Sequence, residues 1–241
     1  IVLITGRGQA SLEDYFDHHY ELEDTLRLKN KQALLDDSRA AVAKAGSMSF
    51  VRQPAPLGLG HAIWCARDII GDEPFAVMLP DMLMMAAPAC LAQMMSAYDK
   101  VGGNIIAVEP TDTPEQYGVV VLEGRDGALN KMKGMVEKPA RGTEPSNLFI
   151  AGRYILQPEI FDLLASQGAG AGGEIQLTDA MVRLMNSQSF HALEYDGKVY
   201  DCGDKVSYLR ACVAFALRDA SLGNAARAAV MEELAKAAKP S

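Results

Sequence analysis

The chain has 241 residues, 49% hydrophobic and 22% charged, with a net charge of −8. This suits a soluble globular protein of one large domain, or a domain with an appendage. The acidic balance argues against general nucleic-acid binding, and no apolar run approaches the ~20 residues of a membrane span, so neither nucleic acid nor membrane is an expected partner. The four cysteines, Cys65, Cys90, Cys202 and Cys212, form no Cys-x-x-Cys pair. They read as reduced thiols of a cytoplasmic protein.

Ile1 to Thr5 reads as the middle of a buried strand, with neither an initiating Met nor a signal peptide. Gly6-Arg7-Gly8 is the turn after it. It is half of a dinucleotide fingerprint and is better taken as a tight turn. Gln9 or Ser11 opens a helix that ends near His18-His19. Helices follow over 21–28 and 31–45, then a strand over 48–52. Gln53 to Ala62, with two prolines and two glycines, is a shaped loop. A helix over 62–70 leads to the run Phe75-Ala-Val-Met-Leu-Pro-Asp-Met82. Its apolar residues fit a central strand buried on both faces of a parallel sheet, stopped by Pro80. Asp81 then stands at the carboxyl end of that strand, where ligands of open α/β sheets bind and an acid can hold a divalent metal against phosphates. On these eight residues alone, an ordinary turn or helix-cap Asp is the preferred reading.

A helix over 88–100, with Met94 and Met95 as core filler, leads to a strand over 104–108. The alternation to this point argues for βαβ crossovers. Strands over 117–122, 131–137 and 148–156, joined by turns at Gly124 and Gly127, look like an antiparallel insertion. A helix over 158–165, a mobile loop over 168–173 and a helix over 174–186 come next. Strands over 191–194 and 198–200 end at Asp201, and the chain is helical from Asp204 on. Its apolar stripes could pack on the domain or on a partner subunit.

Five stretches end or follow these strands and are therefore expected to face one cleft: the loop Gln53–His61, Asp81, Tyr117-Gly118, Glu137-Lys138-Pro139 and Tyr200–Gly203. Glu137 and Lys138 point to opposite faces of a regular strand and share a site only if Pro139 breaks the pleat. Otherwise they are a surface ion pair. Gly118 marks a close ligand approach or a simple strand-opening turn. Asp81 and Asp201 could clamp one Mg2+ or be two helix N-caps.

At matching spacing, several motifs together resemble the bacterial UTP–glucose-1-phosphate uridylyltransferase (UDP-glucose pyrophosphorylase) family. They are Leu57-Gly-Leu-Gly-His-Ala62, Leu79-Pro-Asp81, Tyr117-Gly-Val119, Val136-Glu-Lys-Pro139, Gly152-Arg-Tyr154 and Gly173-Glu-Ile-Gln-Leu-Thr-Asp179. The resemblance runs in order from Ile1 to about Leu217. It implies an α/β, Rossmann-like nucleotide-sugar pyrophosphorylase fold: a mixed, mostly parallel central sheet flanked by helices, a small antiparallel insertion and a C-terminal helical tail. The expected division is a nucleotidyltransferase domain over 1–203 and a helical segment over 204–241.

The resemblance further implies that Gln53 and Gly58 read the uracil edge of UTP, and that Asp81 and Asp201 bind Mg2+. It gives glucose hydroxyls to Gly118, Glu137 and Glu174, and the phosphate of glucose 1-phosphate to Lys138. Asp81 and Lys138 would carry the catalysis, with no nucleophilic Ser, Cys or His, and His61 would shape the loop. A homo-oligomer, dimer or tetramer, is expected. The family's Gly-rich phosphate loop would precede Ile1, so the polypeptide is expected to extend N-terminally of it. The alternatives are a pyrophosphorylase for another sugar phosphate or nucleotide, and a catalytically inactive nucleotide-sugar-binding regulator. A glycosyltransferase fits less well, because Asp81-Met82-Leu83 lacks the second acid of an Asp-x-Asp metal motif.

Overall fold

A computed structural model describes residues 1–168, 170 and 173–237. The loop expected over 168–173 falls partly outside these residues. The chain divides into two compact units, Ile1–Phe75 with Gln157–Ser187, and Ala76–Leu156 with Gln188 onward. After the last strand and two further residues, Asp204 caps the next helix, accepting from the N–H groups of Val206 and Ser207 at 2.9 and 3.0 Å. That helix then packs back, with the ring of Phe215 edge-on to Tyr200 at 6.2 Å.

In the first unit, β1 (Val2–Thr5) pairs in parallel with β2 (Ser49–Arg52). Between them lie α1 (Ala10–Tyr15), α2 (Tyr20–Leu28) and α3 (Gln32–Ala40). Leu26 and Leu35 are buried between α2 and α3. So is the carboxylate of Glu23, which pairs with His18 Nδ1 and Arg39 Nε, both at 2.7 Å. The helix expected to reach Ala45 stops at Ala40, because the chain turns back and Ala43 N donates to Phe16 O.

The helix expected over 62–70 is two helices, α4 (Leu59–Trp64) and α5 (Arg67–Ile70). Arg67 spans the break: its guanidinium covers the Trp64 ring at 3.7 Å and donates to the Trp64 carbonyl at the end of α4. The unit closes with α7 (Ile160–Ala165) and α8 (Leu177–Leu184). On α8 the buried residues Leu177, Ala180, Met181 and Leu184 follow helical spacing.

The second unit holds a six-stranded sheet ordered β3 (Phe75–Met78), β8 (Leu148–Leu156), β5 (Asn104–Pro110), β9 (Phe190–Glu194), β7 (Leu129–Glu137) and β6 (Gly118–Leu122). Two expectations are corrected here. The first concerns β3, expected to be buried on both faces: among the described residues its one sheet neighbour is β8, its exposure alternates, and Met78 is 52% exposed. The doubly buried centre is β5 and β8: residues 104–109 are all buried, and so are 148–152. The second concerns strand direction. The sheet is mixed, but β5–β9 is parallel while β5–β8, β6–β7, β6–β8 and β7–β9 are antiparallel. The strands read as an inserted hairpin array therefore build the sheet itself. Helix α6 (Cys90–Val101) buries Met94 and Ala97 in the same core as Ile105, Ala107, Val119 and Phe149.

An unanticipated strand, β4 (Met82–Met85), pairs antiparallel with β10 (Lys198–Asp201), Met82 opposite Asp201. Pro80 ends β3 as expected, but the apolar run resumes after it. The chain finishes with α9 (Lys205–Arg218) and α10 (Gly223–Ala237).

Candidate functional site

The expected site residues gather in two groups, one in each unit. In the first unit, Gln53 continues β2 by donating its N–H to Thr5 O at 2.9 Å. Its side chain crosses the following loop. Gln53 Nε2 donates to Gly58 O at 3.1 Å and lies 3.0 Å from His61 Nδ1. The His61 ring is stacked with Trp64 at 5.9 Å. Gly58 is left-handed, φ 95°, and a Cβ there would sit 2.8 Å from Glu174 Cβ. Only glycine allows that conformation and that approach together. The segment 174–175 consequently lies on the loop, with Ile175 N donating to Leu57 O at 2.7 Å and Gly60 N to Ile175 O at 2.9 Å. These bonds explain why α8 starts at Leu177 and not at Glu174. Glu174 thus stands beside Gly58, in the group expected to read the base, where its carboxylate accepts from Gln176 Nε2 at 3.0 Å.

In the second unit, the turn Leu79-Pro80-Asp81 is held on each side. Arg153, on β8, donates Nη1 to Leu79 O at 2.7 Å and Nη2 to Met82 O at 2.8 Å. Cys202 N donates to Asp81 O, and Leu79 N to Gly152 O. Gly152 leaves room for this turn, since a Cβ on it would meet Met82 Cγ at 2.7 Å. Burial lowers the pKa of the Arg153 guanidinium, opposed by the nearby Cys90, Tyr195 and Asp81. Asp81 is exposed and caps no helix, because β4 follows it. Asp201 caps none either: Asp204 takes that role at α9, and Asp201 accepts from Gly203 N at 2.8 Å.

The fields of these two carboxylates overlap. The Cys202 thiol is pushed up by burial and then by Asp201, Cys212 and Asp81. Tyr117 is raised by burial, by the charge of Asp201 and by its hydrogen bond to that carboxylate. Buried Tyr154 is raised by desolvation, then by Glu137 and Asp81. Among the described residues, no Lys, Arg or His nitrogen comes within 4.0 Å of the Asp81 or Asp201 carboxylate. Nor do they contain a cluster of three or more His, Cys, Asp or Glu fit to cage a metal. Two acids without a cation suit Mg2+, which binds through one or two carboxylates and completes its shell with phosphate and water.

Glu137 ends β7 directly opposite Gly118 on β6. A Cβ on Gly118 would sit 2.8 Å from Glu137 Oε2, so the missing side chain is the room the carboxylate occupies. The pleat breaks next to Glu137, but at Lys138 and not at Pro139. Lys138 is left-handed, φ 44°, and its N–H donates to Tyr117 O at 3.0 Å. The usual alternation is lost there, so a carboxylate and an ammonium follow one another without the opposed directions of a regular strand. Tyr117 belongs to this corner: its carbonyl accepts from Lys138 N, its ring packs on Phe149 at 4.6 Å, and burial followed by the charge of Asp201 holds its phenol above the ordinary value. Sequence reasoning gave no role to Tyr117 or Arg153. Their signals were the Tyr-Gly and Gly-Arg-Tyr stretches, which name residues but not the carbonyls and acids they reach.

The family model described as nucleotidyl transferase matches residues 7–216. A UTP–glucose-1-phosphate uridylyltransferase of Bacillus subtilis (strain 168) is 43% identical over 224 residues, covering 92% of this chain and 76% of that protein. Among solved structures, a UTP-bound UGPase from Acinetobacter baumannii superposes with a TM-score of 0.88 at 38% identity, covering 96% of this chain and 82% of that one. A UDP-glucose pyrophosphorylase complexed with UDP-glucose gives a TM-score of 0.79 at 40% identity, covering 89% and 79%.

Proposed function

The chain belongs to the nucleotidyl transferase family, among its UTP–glucose-1-phosphate uridylyltransferases, and from that premise we propose that it joins UTP and glucose 1-phosphate into UDP-glucose and pyrophosphate. The corner at Gly118, Glu137 and Lys138 is the observation that carries this reading. A carboxylate for sugar hydroxyls and an ammonium for a phosphate emerge consecutively from a strained strand end. That pairing of groups fits a sugar phosphate.

A phosphate oxygen of glucose 1-phosphate attacks the α-phosphorus of UTP, the bond to the bridging β-phosphate oxygen breaks, and pyrophosphate leaves in line. The protein contributes orientation and charge neutralisation and forms no covalent bond. Asp81 and Asp201 would hold Mg2+, which supplies neutralisation of the phosphates when bound. Lys138 binds the attacking phosphate and offsets its repulsion from the triphosphate. Glu137 and the Gly118 backbone take glucose hydroxyls. Gln53 and Gly58 read the uracil edge.

A cytoplasmic location belongs to the same reading, supported by four free cysteines. Among the described residues, no helix is long and apolar enough to cross a membrane. Self-association through the C-terminal helices is supported by exposed Val206, Leu209, Met231 and Leu234 on α9 and α10. The activity is tested with the full-length polypeptide in a substrate panel: UTP, CTP, dTTP and ATP against glucose 1-phosphate, then several sugar 1-phosphates against UTP. Preference for UTP with glucose 1-phosphate supports the proposal. Faster turnover of another pair moves the assignment to a related pyrophosphorylase. Tight UDP-glucose binding without turnover marks a regulator.

A further inference from the structure

The carboxamide of Gln53 has two ends of opposite character, and which end faces a base decides which base is accepted. Its orientation here is fixed by chemistry. The Gly58 carbonyl can only accept, so the Gln53 atom 3.1 Å from it must be the NH2 group. The same nitrogen lies 3.0 Å from His61 Nδ1. An NH2 donates, so Nδ1 must be unprotonated and the ring proton must sit on Nε2. Cys65 Sγ, 3.9 Å from the same Nδ1, is a second neighbour able to donate. Burial raises the Cys65 thiol, which keeps its proton in place. The ring is oriented in turn by Trp64, itself covered by Arg67.

We propose that His61 is a specificity-determining positioning residue. As the Nε2–H tautomer it locks the Gln53 carboxamide with its nitrogen turned to Gly58 and His61, leaving the oxygen as the group offered to the nucleotide base. This rests on the reading that Gln53 faces the base of UTP. Uracil presents an N3–H, which the Gln53 oxygen accepts. Cytosine presents an unprotonated N3, which would face that oxygen as one acceptor against another. A flipped carboxamide would reverse the preference, and with His61 in place the flip loses two hydrogen bonds.

Two substitutions and one spectrum test this in the full-length protein. His61→Phe keeps a ring to stack on Trp64 but removes the acceptor. His61→Asn keeps an acceptor near the Nδ1 position. The readout is the ratio of kcat/KM for UTP to that for CTP at saturating glucose 1-phosphate. Loss of one hydrogen bond holding the amide lowers the ratio by about tenfold in H61F, mainly through KM. H61N recovers most of it. An unchanged ratio in H61F, or equal loss of both nucleotides in H61F and H61N alike, overturns the proposal. Gln53→Ala separates this from the reading beneath it. If Q53A keeps the wild-type ratio, Gln53 does not read the base. If Q53A loses the ratio while H61F keeps it, only the role of His61 falls. Long-range 1H–15N correlation of the wild-type His61 ring reads the tautomer directly, whatever the variants do. A proton on Nδ1 overturns the proposal, and a proton on Nε2 supports it.

Discussion

Lys138 offers a test in which the backbone and the side chain give separable answers. Its φ of 44° lies in the left-handed region, and its N–H is tied to Tyr117 O. For a residue with a Cβ that conformation costs roughly 1–2 kcal/mol, and glycine escapes the cost. Replacing alanine by glycine also loosens the unfolded chain, which costs about 0.4–1 kcal/mol of stability. Lys138→Ala keeps the strain and Lys138→Gly removes it, and neither has the ammonium. The glycine variant is therefore expected to be the more stable of the two by about 0.5–1 kcal/mol, the reverse of the usual order in regular structure. For a protein of this size that is a rise of about 1–4 °C in melting temperature. Both variants lose a charge-assisted contact to phosphate, worth ~1.5–3 kcal/mol, so kcat/KM for glucose 1-phosphate falls by about 10- to 100-fold in each. Urea unfolding and steady-state kinetics on the same preparations measure both effects. If K138A is as stable as K138G, the left-handed strain is not real. If K138G keeps wild-type kinetics, the ammonium does not hold the phosphate.

Arg153→Lys keeps the charge but cannot reach both the Leu79 and Met82 carbonyls, 2.7 and 2.8 Å from the guanidinium. We expect about 2 kcal/mol of destabilisation and a turnover at least tenfold lower at saturating substrates, with a raised Mg2+ requirement because Asp81 is no longer held; wild-type Mg2+ dependence would count against that link. Asp81→Ala should lower turnover by several orders of magnitude with the melting temperature little changed, and near-normal turnover would remove Asp81 from the metal site. Glu23 is held below its ordinary carboxyl value, first by the His18 hydrogen bond and then by Arg39. A depressed folded-state value means stability that is present above the unfolded value of 4.5 and lost as pH falls through the folded one. Glu23→Gln should flatten the acid side of a plot of unfolding midpoint against pH, below about 4.5, and an unchanged acid limb would refute the pairing.

The order of strands and helices was legible because most segments carry a clear period and a clear stop. The run 148–156 is a strand with the bounds read for it. What could not be read was pairing. Phe75–Met78 is apolar enough to be buried on both faces, but burial depends on what packs against each face, and Met78 is left 52% exposed. Strand β4 was hidden because a proline in an apolar run looks like its end. Helix starts moved where tertiary bonds claimed the backbone, as at Glu174-Ile175 against the 57–60 loop. The site residues were legible as residue types at strand ends. The devices that hold them were not. Arg153 reaches carbonyls 74 and 71 positions away, separations no local pattern encodes. Lys138 shows the intermediate case: a shared site for Glu137 and Lys138 needed a break of the pleat at Pro139, and the break falls one residue earlier, at Lys138.

The most direct test of the whole account follows the reaction by 31P NMR. The full-length protein is incubated with UTP, glucose 1-phosphate and Mg2+, and both products are counted. We expect UDP-glucose and pyrophosphate to appear in equal amounts, only with Mg2+ present, and the reaction to run back from added UDP-glucose and pyrophosphate. No UDP-glucose under these conditions, or phosphate released in place of pyrophosphate, would contradict it.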